Sequence, residues 1–469
     1  MKNFTVTLIK SISGIRGTIG GRPGDGLTPL DAVKFASAYG MWIKSTTQNK
    51  ALVLIGRDAR MSGEMISSLV ISTLNGLGID VIDTGLSTTP TVEMAVVKHR
   101  ADGGIILTAS HNPKQWNALK LLNAKGEFIS DAEGKAILDM ADREAFTYAE
   151  VDALGKTKVV NTTLQEHIDA ILKLPYVDCA AVKSANFKIV VDAINSSGAF
   201  AVPELLKAIG VSDIQIIHSE MHGNFAHNPE PLPEHLIDLS TAVINSKAHL
   251  GISIDPDVDR LAMVCEDGSM FGEEYTLVAV ADAVLSYHKG GNSVSNLSST
   301  RALRDITEAL GGNYTAAAVG EVNVVTAMKN TSARIGGEGN GGVILPELHY
   351  GRDALVGIAI YLSHLAKKNC TASALRQSYP NYVISKNKIE LTPAINVDEV
   401  LTKVKLLYPN QPVNTLDGLK IEFGNEWVHL RKSNTEPIIR IYAESKSEEM
   451  ANQLANRIIG DIKVAAGIL

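Results

Sequence analysis

The chain has 469 residues, too many for one hydrophobic core, and its 45% hydrophobic and 20% charged content predicts three or four ordinary globular domains. Its net charge of −7 at pH 7 provides no overall attraction for nucleic acid or an anionic membrane, so an anionic substrate must be held by local basic groups. Three distant cysteines without CxxC spacing favour a reducing compartment over a disulfide framework or a thiolate metal site. We find no signal-like or membrane-spanning apolar run and expect a cytoplasmic protein.

Three segments have the same order of predicted elements. Residues 51–83, 187–217 and 292–319 each read as a strand, a polar turn, a helix of period near 3.6, a glycine and a second strand. These units predict three similar α/β domains with mixed or parallel sheets, and the pattern after about residue 376 predicts a smaller α+β domain. The predicted domains are 1–155, 156–257, 258–375 and 376–469.

The first segment with chemical character is GGIILTASHNPKQWNALKLL, residues 103–122, in which a strand-like run ends in Ser110 and His111. A Ser-His hydrolase pair is one interpretation, but adjacent residues rarely place the imidazole to deprotonate the serine, and no G-x-S-x-G elbow occurs. The structural alternative is a turn in which Ser110 or Asn112 caps a helix that begins near Lys114. This segment alone leaves both interpretations open.

A second segment, HLGISIDPDVDRLAMV, places three carboxylates at alternate positions after a buried strand: Asp255, Asp257 and Asp259. Their repulsion would raise their pKa values unless a cation neutralised them, and oxygen-only ligands suit Mg²⁺ or Ca²⁺. An EF-hand is rejected because Arg260 occupies the position that needs glycine. A solvated acidic turn is the weaker alternative, since α/β proteins bind ligands at the ends of buried strands.

Two later segments carry groups suited to ligand binding. ARIGGEGNGGVILPELHYGRD satisfies GxGxxG, but Pro346 interrupts the helix that a dinucleotide site needs. We interpret its glycines as allowing close approach of a ligand, with Glu338 and Asn340 bonding to hydroxyl groups; a flexible turn explains the segment nearly as well. HLRKSNTEPIIRIYAE favours an anion site, because a proline-closed turn gathers five donor residues: Arg431, Ser433, Asn434, Thr435 and Arg440.

Together, these four segments resemble the α-D-phosphohexomutase superfamily. That family carries a T-A-S-H-N-P loop, a D-x-D-x-D-R loop, a G-E-x-S-G loop and an R-x-S-x-T-E-P loop, and all four have counterparts here in the same order. SGIRG, with Arg16, and IGRDARMSG extend the match. The resemblance implies an α/β fold of four domains around a central cleft, three alike and the last smaller. In chain order they would carry the phosphoserine loop, the metal loop, the sugar-recognition loop and the phosphate-binding loop.

The resemblance further implies an isomerase that interconverts hexose 1- and 6-phosphates. Ser110 would carry the phosphoryl group, a hexose 1,6-bisphosphate would be both intermediate and activator, and Mg²⁺ would bind the three aspartates and a phosphoserine oxygen. The implied catalytic residues are Ser110, His111, Lys120, Arg16 and Arg260. The implied substrate-binding residues are Glu338, Asn340, Arg431, Ser433, Asn434, Thr435 and Arg440. The partner would be a small sugar phosphate, without nucleic acid or membrane, and the protein a monomer or homodimer.

The sequence departs from the family pattern in two places. Asn117-Ala118 replaces the usual Asn-Gly, and GEGNGG at 337–342 lacks the family's histidine, which raises the question whether His349 replaces it. The E-G-N-G-G form resembles a branch of phosphoglucosamine mutases and related phosphogluco/phosphomannomutases, and the TEPIIRIYAE ending resembles the phosphoglucosamine members. We therefore expect glucosamine phosphate as substrate, with glucose and mannose phosphates as alternatives. A metal-dependent sugar phosphatase and a non-catalytic sugar-phosphate-binding protein are the competing functions.

Overall fold

The computed structural model describes residues 6–11, 14–390, 395–432 and 438–468. The chain divides into two compact units. The first contains the described residues up to Thr276 together with Gly341–Ser373, and the second contains Leu277–Asn340 together with the described residues from Ala374 onward. None of the helices in these described ranges combines the length and the apolar character needed to cross a bilayer.

The first unit begins with a seven-stranded mixed sheet. Its elements are β1 (Ile9–Ser11), β2 (Gly14–Thr18), α1 (Pro29–Thr46), β3 (Leu52–Arg57), α2 (Gly63–Gly76), β4 (Asp80–Leu86), α3 (Thr89–Lys98), β5 (Gly103–Leu107), β6 (Trp116–Asn123), α4 (Asp131–Arg143) and β7 (Thr157–Val159). The strand order is β1-β2-β6-β5-β3-β4-β7, with β5, β3, β4 and β7 parallel and the other pairs antiparallel.

Strand β5 is buried on both faces because helices cover both sides of this sheet. Ile105 and Leu107 belong to the apolar cluster that includes α1 and α2, whereas Ile106 belongs to the cluster that includes Val92 and Val96 of α3. Alternate side chains of one strand thus serve two cores. The strand is therefore a rigid support for the residues that follow it.

The second sheet of the first unit has four strands. Its elements are α5 (Thr163–Ile171), α6 (Cys179–Ala185), β8 (Lys188–Asp192), α7 (Gly198–Ala208), β9 (Asp213–Ile217), α8 (Ile237–Ser246), β10 (Leu250–Ile254) and β11 (Leu261–Cys265). The order is β11-β10-β8-β9, in which only β11 is antiparallel to its neighbour. The carboxyl ends of β8 and β10 consequently meet at one edge of the sheet.

The next region contributes to both units. Its elements are α9 (Glu273–His288), β12 (Ser293–Asn296), α10 (Ala302–Ala309), β13 (Tyr314–Ala317), α11 (Glu321–Thr331), β14 (Ile335–Glu338), β15 (Gly342–Ile344) and α12 (Ala354–Lys368). In the second unit, β12 pairs in parallel with both β13 and β14. Strand β15 and helix α12 belong to the first unit, where α12 packs against α6 and α7.

The C-terminal part of the second unit is an antiparallel sheet with two helices on one face. Its elements are α13 (Ala372–Ser378), β16 (Val383–Glu390), α14 (Val397–Leu406), β17 (Val413–Asn414), β18 (Leu419–Phe423), β19 (Glu426–Lys432), β20 (Ile438–Ser445) and α15 (Glu448–Ala466). The strand order is β16-β20-β19-β18-β17. Apolar residues of α14 and α15 form one buried cluster with those of the sheet, as their amphipathic patterns predict.

The predicted fold class is confirmed. The three repeated segments form β3-α2-β4, β8-α7-β9 and β12-α10-β13, and an α+β region follows them. The helix considered near Lys114 is wrong, because the chain enters β6 at Trp116 after a short turn. The exact domain boundaries stay a prediction.

Candidate active site

Ser110 lies in a tight turn just beyond the end of β5. Its φ of 49° is in the left-handed region, which non-glycine residues seldom adopt, and its side chain is buried. The hydroxyl of Thr108 accepts a hydrogen bond from the Ser110 amide at 2.9 Å and donates one to Asp58 Oδ2 at 2.6 Å. The backbone around the serine is therefore fixed from the inner side of the turn.

Arg60 holds the rest of this turn. Its side chain is buried, and its Nε donates to Asp58 Oδ2 at 3.1 Å. Its two terminal nitrogens donate to four backbone carbonyl oxygens, those of Ser110, Asn112, Pro113 and Trp116. The Pro113 carbonyl also accepts a turn hydrogen bond of 3.0 Å from the Trp116 amide, and the chain continues from Trp116 as β6. A short turn held by Arg60 therefore takes the place of the helix considered near Lys114.

The three aspartates lie immediately after β10. All three side chains are fully buried, and each offers an oxygen within 4.8 Å of those of the other two. Asp255 Oδ1 accepts hydrogen bonds from the amides of Asp259 and Arg260, both at 3.1 Å, which closes the loop upon itself. Asp255 Oδ2 accepts a hydrogen bond of 2.6 Å from Ser110 Oγ. The structure thus joins two predicted motifs that lie 145 residues apart.

This carboxylate cluster fits a hard divalent cation. Asp257 Oδ1 and Asp259 Oδ1 are buried, and neither accepts a hydrogen bond from any residue in the described ranges. Such oxygens are costly to bury without a partner, and Mg²⁺ prefers carboxylate oxygens. The cluster can therefore hold a metal ion between its three side chains.

The charges around the aspartates are unevenly distributed. Burial raises the pKa of Asp255 well above its usual range, and the charges of Asp259 and Asp257 raise it further. Burial would also raise the pKa of Asp259, but the charges of Arg352 and Lys120 outweigh it and lower that pKa. Of these two aspartates, Asp255 is therefore the one whose ionised form depends more on a cation bound at the cluster.

His111 and Lys120 have opposite charge states beside this cluster. Burial and the charge of Arg260 lower the pKa of His111 to about 2, so its ring is neutral; its Nδ1 lies 3.5 Å from Ser110 Oγ. Burial favours neutral Lys120, but Asp257 and Asp259 outweigh it and raise the lysine's pKa. Lys120 Nζ donates to Asp257 at 2.7 Å and to Asp259 at 3.4 Å. Lys120 is therefore a fixed cation.

Of the two remaining predicted catalytic residues, Arg260 lies beside the cluster and Arg16 lies on a neighbouring strand. Arg260 Nη1 is 3.4 Å from Glu230 Oε1, and its Nε is 3.9 Å from Asp259 Oδ1. Arg16 lies on β2, opposite Ala118 of β6, the strand that carries Lys120. The structure thus gathers Ser110, His111, Lys120, Arg260 and the three aspartates, with Arg16 on a strand next to that of Lys120.

The predicted sugar-binding and phosphate-binding residues lie in the second unit. Glu338 ends β14 and is buried; its Oε1 accepts hydrogen bonds from Asn296 Nδ2 at 2.9 Å and from the Gly320 amide at 3.1 Å. Asn340 is half-buried two residues later. Strand β15, not a helix, follows the glycines, which agrees with rejection of a dinucleotide loop.

Arg431 is linked to the same region through Asp417. Asp417 Oδ2 accepts hydrogen bonds from Arg431 Nε at 2.9 Å and from the Val319 amide at 3.0 Å, and Val319 precedes the Gly320 that binds Glu338. Arg440 is exposed and lies opposite Arg431 in the pairing of β19 with β20. The other three predicted donors lie outside the described residues: Ser433, Asn434 and Thr435.

The structure adds residues that sequence reasoning missed. Thr89 opens α3 and binds Asp257 twice, through its amide at 2.9 Å and its hydroxyl at 2.5 Å, and Arg352 donates to Asp259 Oδ2 at 2.7 Å. These contacts span 168 and 93 residues of sequence, so no local motif signals them. Asp58 and Arg60 fall within IGRDARMSG, whose composition gives no indication of their partners.

His349 is a paired cation in the first unit. Its Nδ1 lies 3.1 Å from Glu93 Oε2 and its Nε2 3.3 Å from Asp353 Oδ2. Burial would lower the pKa of His349, but the hydrogen bonds to Asp353 and Glu93 outweigh it and raise that pKa to about 10. A ring that already holds both protons does not accept another, so His349 is not a base.

A serine hydroxyl bonded to a carboxylate cluster, with a neutral histidine and a fixed lysine cation, is an arrangement suited to metal-assisted phosphoryl transfer. Comparison with known proteins agrees with this class. Sequence models of the phosphoglucomutase/phosphomannomutase domains match in order: the three alpha/beta/alpha domains at residues 8–148, 165–268 and 272–382, and the C-terminal domain at 386–460.

Individual relatives extend over nearly the whole chain. A phosphoglucomutase/phosphomannomutase of Thermococcus kodakarensis is 34% identical over 93% of this chain and 96% of its own. A phosphoglucosamine/phosphogalactosamine mutase of Sulfurisphaera tokodaii is 31% identical over 95% and 97%. The crystal structure of a phosphoglucomutase/phosphomannomutase family protein from Burkholderia thailandensis superposes with a TM-score of 0.83, at 26% identity, over 98% of both chains. The chain therefore belongs to the phosphoglucomutase/phosphomannomutase family and is a phosphohexomutase, an isomerase.

Proposed function

We propose that this protein interconverts the 1- and 6-phosphates of glucosamine through a phosphoserine at Ser110. The observation that carries the mechanism is the hydrogen bond of 2.6 Å between Ser110 Oγ and Asp255 Oδ2. It sets the nucleophile directly against the aspartate cluster, as a phosphoryl carrier requires. A serine hydrolase would instead need the serine hydroxyl to donate to a base that a third group orients, whereas Ser110 Oγ donates to Asp255 and lies 3.5 Å from His111 Nδ1.

In the proposed first step, phosphorylated Ser110 transfers its phosphoryl group to the free hydroxyl of the sugar phosphate. The bond between phosphorus and Ser110 Oγ breaks, a bond to the sugar oxygen forms, and the sugar hydroxyl releases its proton. We assign that proton, relayed by His111 Nδ1, to Ser110 Oγ, the oxygen that loses phosphorus and that lies 3.5 Å from this nitrogen. The resulting 1,6-bisphosphate turns around, and its other phosphoryl group returns to Ser110, so no phosphate is consumed.

Electrostatic stabilisation is assigned to the groups around the serine. Asp255, Asp257 and Asp259, with a phosphoserine oxygen, would hold Mg²⁺, which when bound offsets the charge of the transferring group. Lys120 keeps its proton and contributes a fixed positive charge, while Arg16 and Arg260 face the negative phosphates. Arg60 maintains the turn that presents the serine.

Recognition of the substrate is assigned to the second unit. Glu338 and Asn340 would bond to the sugar hydroxyls, and Arg431 and Arg440 would hold the phosphate that does not react. We assign Ser433, Asn434 and Thr435 to that phosphate from sequence alone. The hydrogen bonds from Arg431 through Asp417 to the Val319–Gly320 turn support joint action of the two groups of residues.

The choice of glucosamine phosphate has two supports. The TEPIIRIYAE ending resembles the phosphoglucosamine members of the family, and the Sulfurisphaera relative is named for amino-sugar phosphates. The Thermococcus relative is named for glucose and mannose phosphates, which makes those sugars the competing substrates. We also propose that hexose 1,6-bisphosphate activates the protein and that it works in the cytoplasm, where its free cysteines stay reduced.

The deciding experiment measures initial rates on glucosamine, glucose and mannose 1-phosphates, with Mg²⁺ and a hexose 1,6-bisphosphate. We expect the highest kcat/KM for glucosamine 1-phosphate; a tenfold preference for either other sugar would overturn this substrate. Inorganic phosphate is measured in parallel, because its release in step with substrate loss would identify a phosphatase.

The phosphoserine is tested with Ser110→Ala. We expect turnover to fall by about 10⁴-fold or more, because the group that carries phosphate is lost. Ser68→Ala is the matched control, since Ser68 lies on α2 and its hydroxyl donates to the Glu64 carbonyl oxygen of the same helix. Incubation with labelled bisphosphate should leave one label on the wild type, at Ser110. Full turnover of Ser110→Ala would rule out the mechanism.

A further inference from the structure

A second cluster of possible metal ligands lies in the first unit, outside the aspartate loop. Asp192 is the last residue of β8 and is fully buried; His218 directly follows β9, and His227 lies nine residues further along the chain. Each offers a ligand atom within 4.8 Å of those of the other two. The segment 218–230, which carries both histidines, is called the histidine loop below.

The two histidines approach opposite oxygens of one carboxylate. His218 Nδ1 lies 2.9 Å from Asp192 Oδ1, and His227 Nε2 lies 2.8 Å from Asp192 Oδ2. Their rings are 5.4 Å apart and inclined at 71°. Three side chains therefore converge upon a single small volume.

The outer nitrogens of both rings face groups that only accept hydrogen bonds. His227 Nδ1 lies 2.8 Å from the carbonyl oxygen of Asn228, and His218 Nε2 lies 3.4 Å from a carboxylate oxygen of Asp238. The outer nitrogen of His227 must therefore carry a proton, and the nearby Asp238 carboxylate favours a proton on that of His218. In a neutral ring the inner nitrogen then presents a lone pair towards Asp192, so either a second proton or a cation must lie between them.

This pattern is the one found around histidine ligands of metals. A ligating histidine usually donates its other N–H group to a carboxylate or a backbone carbonyl, which fixes the tautomer and the ring orientation. The outer nitrogen of His227 faces such a backbone carbonyl, and that of His218 lies 3.4 Å from the Asp238 carboxylate. Two imidazolium cations would use the same outer acceptors, so the alternative to a metal is a second proton on each ring.

We propose that Asp192, His218 and His227 bind a divalent transition metal of the zinc class. Two imidazole nitrogens and one carboxylate oxygen suit Zn²⁺ and not Mg²⁺, and three protein ligands leave one position for water. The histidine side chains are 19% and 16% exposed, so solvent reaches the site. Tetrahedral ligands with bonds of about 2.0–2.1 Å lie about 3.3 Å apart, so the contacts to Asp192 would open by about 0.5 Å.

The site would secure a loop that contacts the proposed active site. In the histidine loop, Phe225 lies under Arg60 with its ring 5.1 Å from the guanidinium carbon, and Asn224 accepts a hydrogen bond of 2.6 Å from Lys114. Glu230, at the end of the loop, lies 3.4 Å from Arg260. A metal at the start of this loop would therefore stabilise it without touching the serine.

The test compares metal retention by matched histidine variants. Wild type, His227→Gln and His222→Gln are stripped with EDTA, incubated with Zn²⁺ in excess Mg²⁺, desalted and analysed for zinc. His222 is the control because it lies in the same loop but is 46% exposed and contacts Glu220. We expect one zinc per chain in wild type and His222→Gln and none in His227→Gln. Co²⁺ should give a visible ligand-field absorption only in the first two.

Two further measurements keep the proposal open to refutation. Asp257→Asn should retain the zinc, which separates this site from the aspartate cluster. Zn²⁺ should raise Tm by about 5 °C in wild type but not in His227→Gln, and mutase turnover of that variant within about threefold of wild type would show that it is folded. Equal zinc retention by His227→Gln, or none by wild type, would overturn the proposal and leave Asp192 paired with two imidazolium ions.

Discussion

Two buried groups of carboxylates lie at the same edge of one sheet, and they differ in how their charge is neutralised. Asp192 ends β8, and Asp255 follows the adjacent parallel strand β10, whose Ser253 pairs with Asp192. Burial would raise the pKa of Asp192, but two histidines outweigh it and lower the pKa to about 2. The pKa of Asp255 is instead raised by burial and by two neighbouring carboxylates. The pKa of each aspartate is therefore set by the charged side chains around it and not by its position at the end of a strand.

The difference indicates two kinds of cation at one sheet edge. The aspartate cluster offers only oxygen ligands, of which two accept no hydrogen bond from the described part of the chain. The Asp192 cluster offers two imidazole nitrogens beside one carboxylate, and the outer nitrogen of each ring faces an acceptor. The loop after β10 would therefore select a hard metal such as Mg²⁺, and the histidine loop would select a borderline metal such as Zn²⁺.

The largest expected effect comes from Asp255→Asn. We expect turnover to fall by about 10³-fold, because one ligand of the metal cluster is lost. In EDTA the free energy of unfolding should not fall, since the asparagine oxygen still accepts the amides of Asp259 and Arg260 while the repulsion disappears. The measurements are kcat/KM and Tm with and without Mg²⁺. A Tm increase by Mg²⁺ equal to that of wild type would contradict a role for Asp255 in metal binding.

A smaller loss of activity is expected for Arg60→Lys. Arg60 forms a buried ion pair with another carboxylate, that of Asp58. An ammonium group cannot reach four carbonyls at once, so we expect kcat to fall by about 100-fold through misplacement of the serine. KM should change little. Arg143→Lys, at an exposed ion pair on α4, is the control. An unchanged kcat in Arg60→Lys would show that the turn does not depend on this guanidinium group.

Asp192→Asn should lower stability and leave turnover nearly unchanged, which is the reverse of the result expected for Asp255→Asn. Loss of the charge shared with the two histidines should lower the free energy of unfolding by about 2 kcal/mol in EDTA, as measured by urea denaturation. Turnover at 25 °C should stay within about threefold of wild type, because within the described ranges the side chain of Asp192 bonds to His218 and His227 and to none of the proposed catalytic residues. Loss of activity with retained stability would refute the distinction between the two clusters.

The smallest expected effect is the pH dependence of stability due to His349, which forms ion pairs with the carboxylates of Glu93 and Asp353. Its pKa in the folded protein, about 10, exceeds its value when unfolded, so its stabilising contribution is complete below about pH 6.5 and is lost as pH rises through 10. Between pH 8 and 10 wild type should lose up to about 1 kcal/mol per pH unit more than His349→Gln. Parallel stability curves for the two proteins would contradict this pairing.

The sequence predicted the features that depend on neighbouring residues. The two loops that begin near Ser110 and Asp255 could be predicted, because adjacent residues determine both a buried strand and the turn that follows it. The sequence could not show that Arg60 would hold four carbonyls, or that Thr89 and Arg352 would reach the aspartates, since these contacts depend on packing between distant segments. The same limit hid His218 and His227, which lie 26 and 35 residues after Asp192.

The way Arg60 holds the serine turn bears on which residues can vary. Since the guanidinium group binds carbonyls, the shape of the turn depends upon peptide groups that every amino acid possesses. Gln115 is exposed within the turn. Substitution at this position should therefore be close to neutral, whereas position 60 should accept nothing but arginine. One buried side chain would make the surface beside the nucleophile free to diversify.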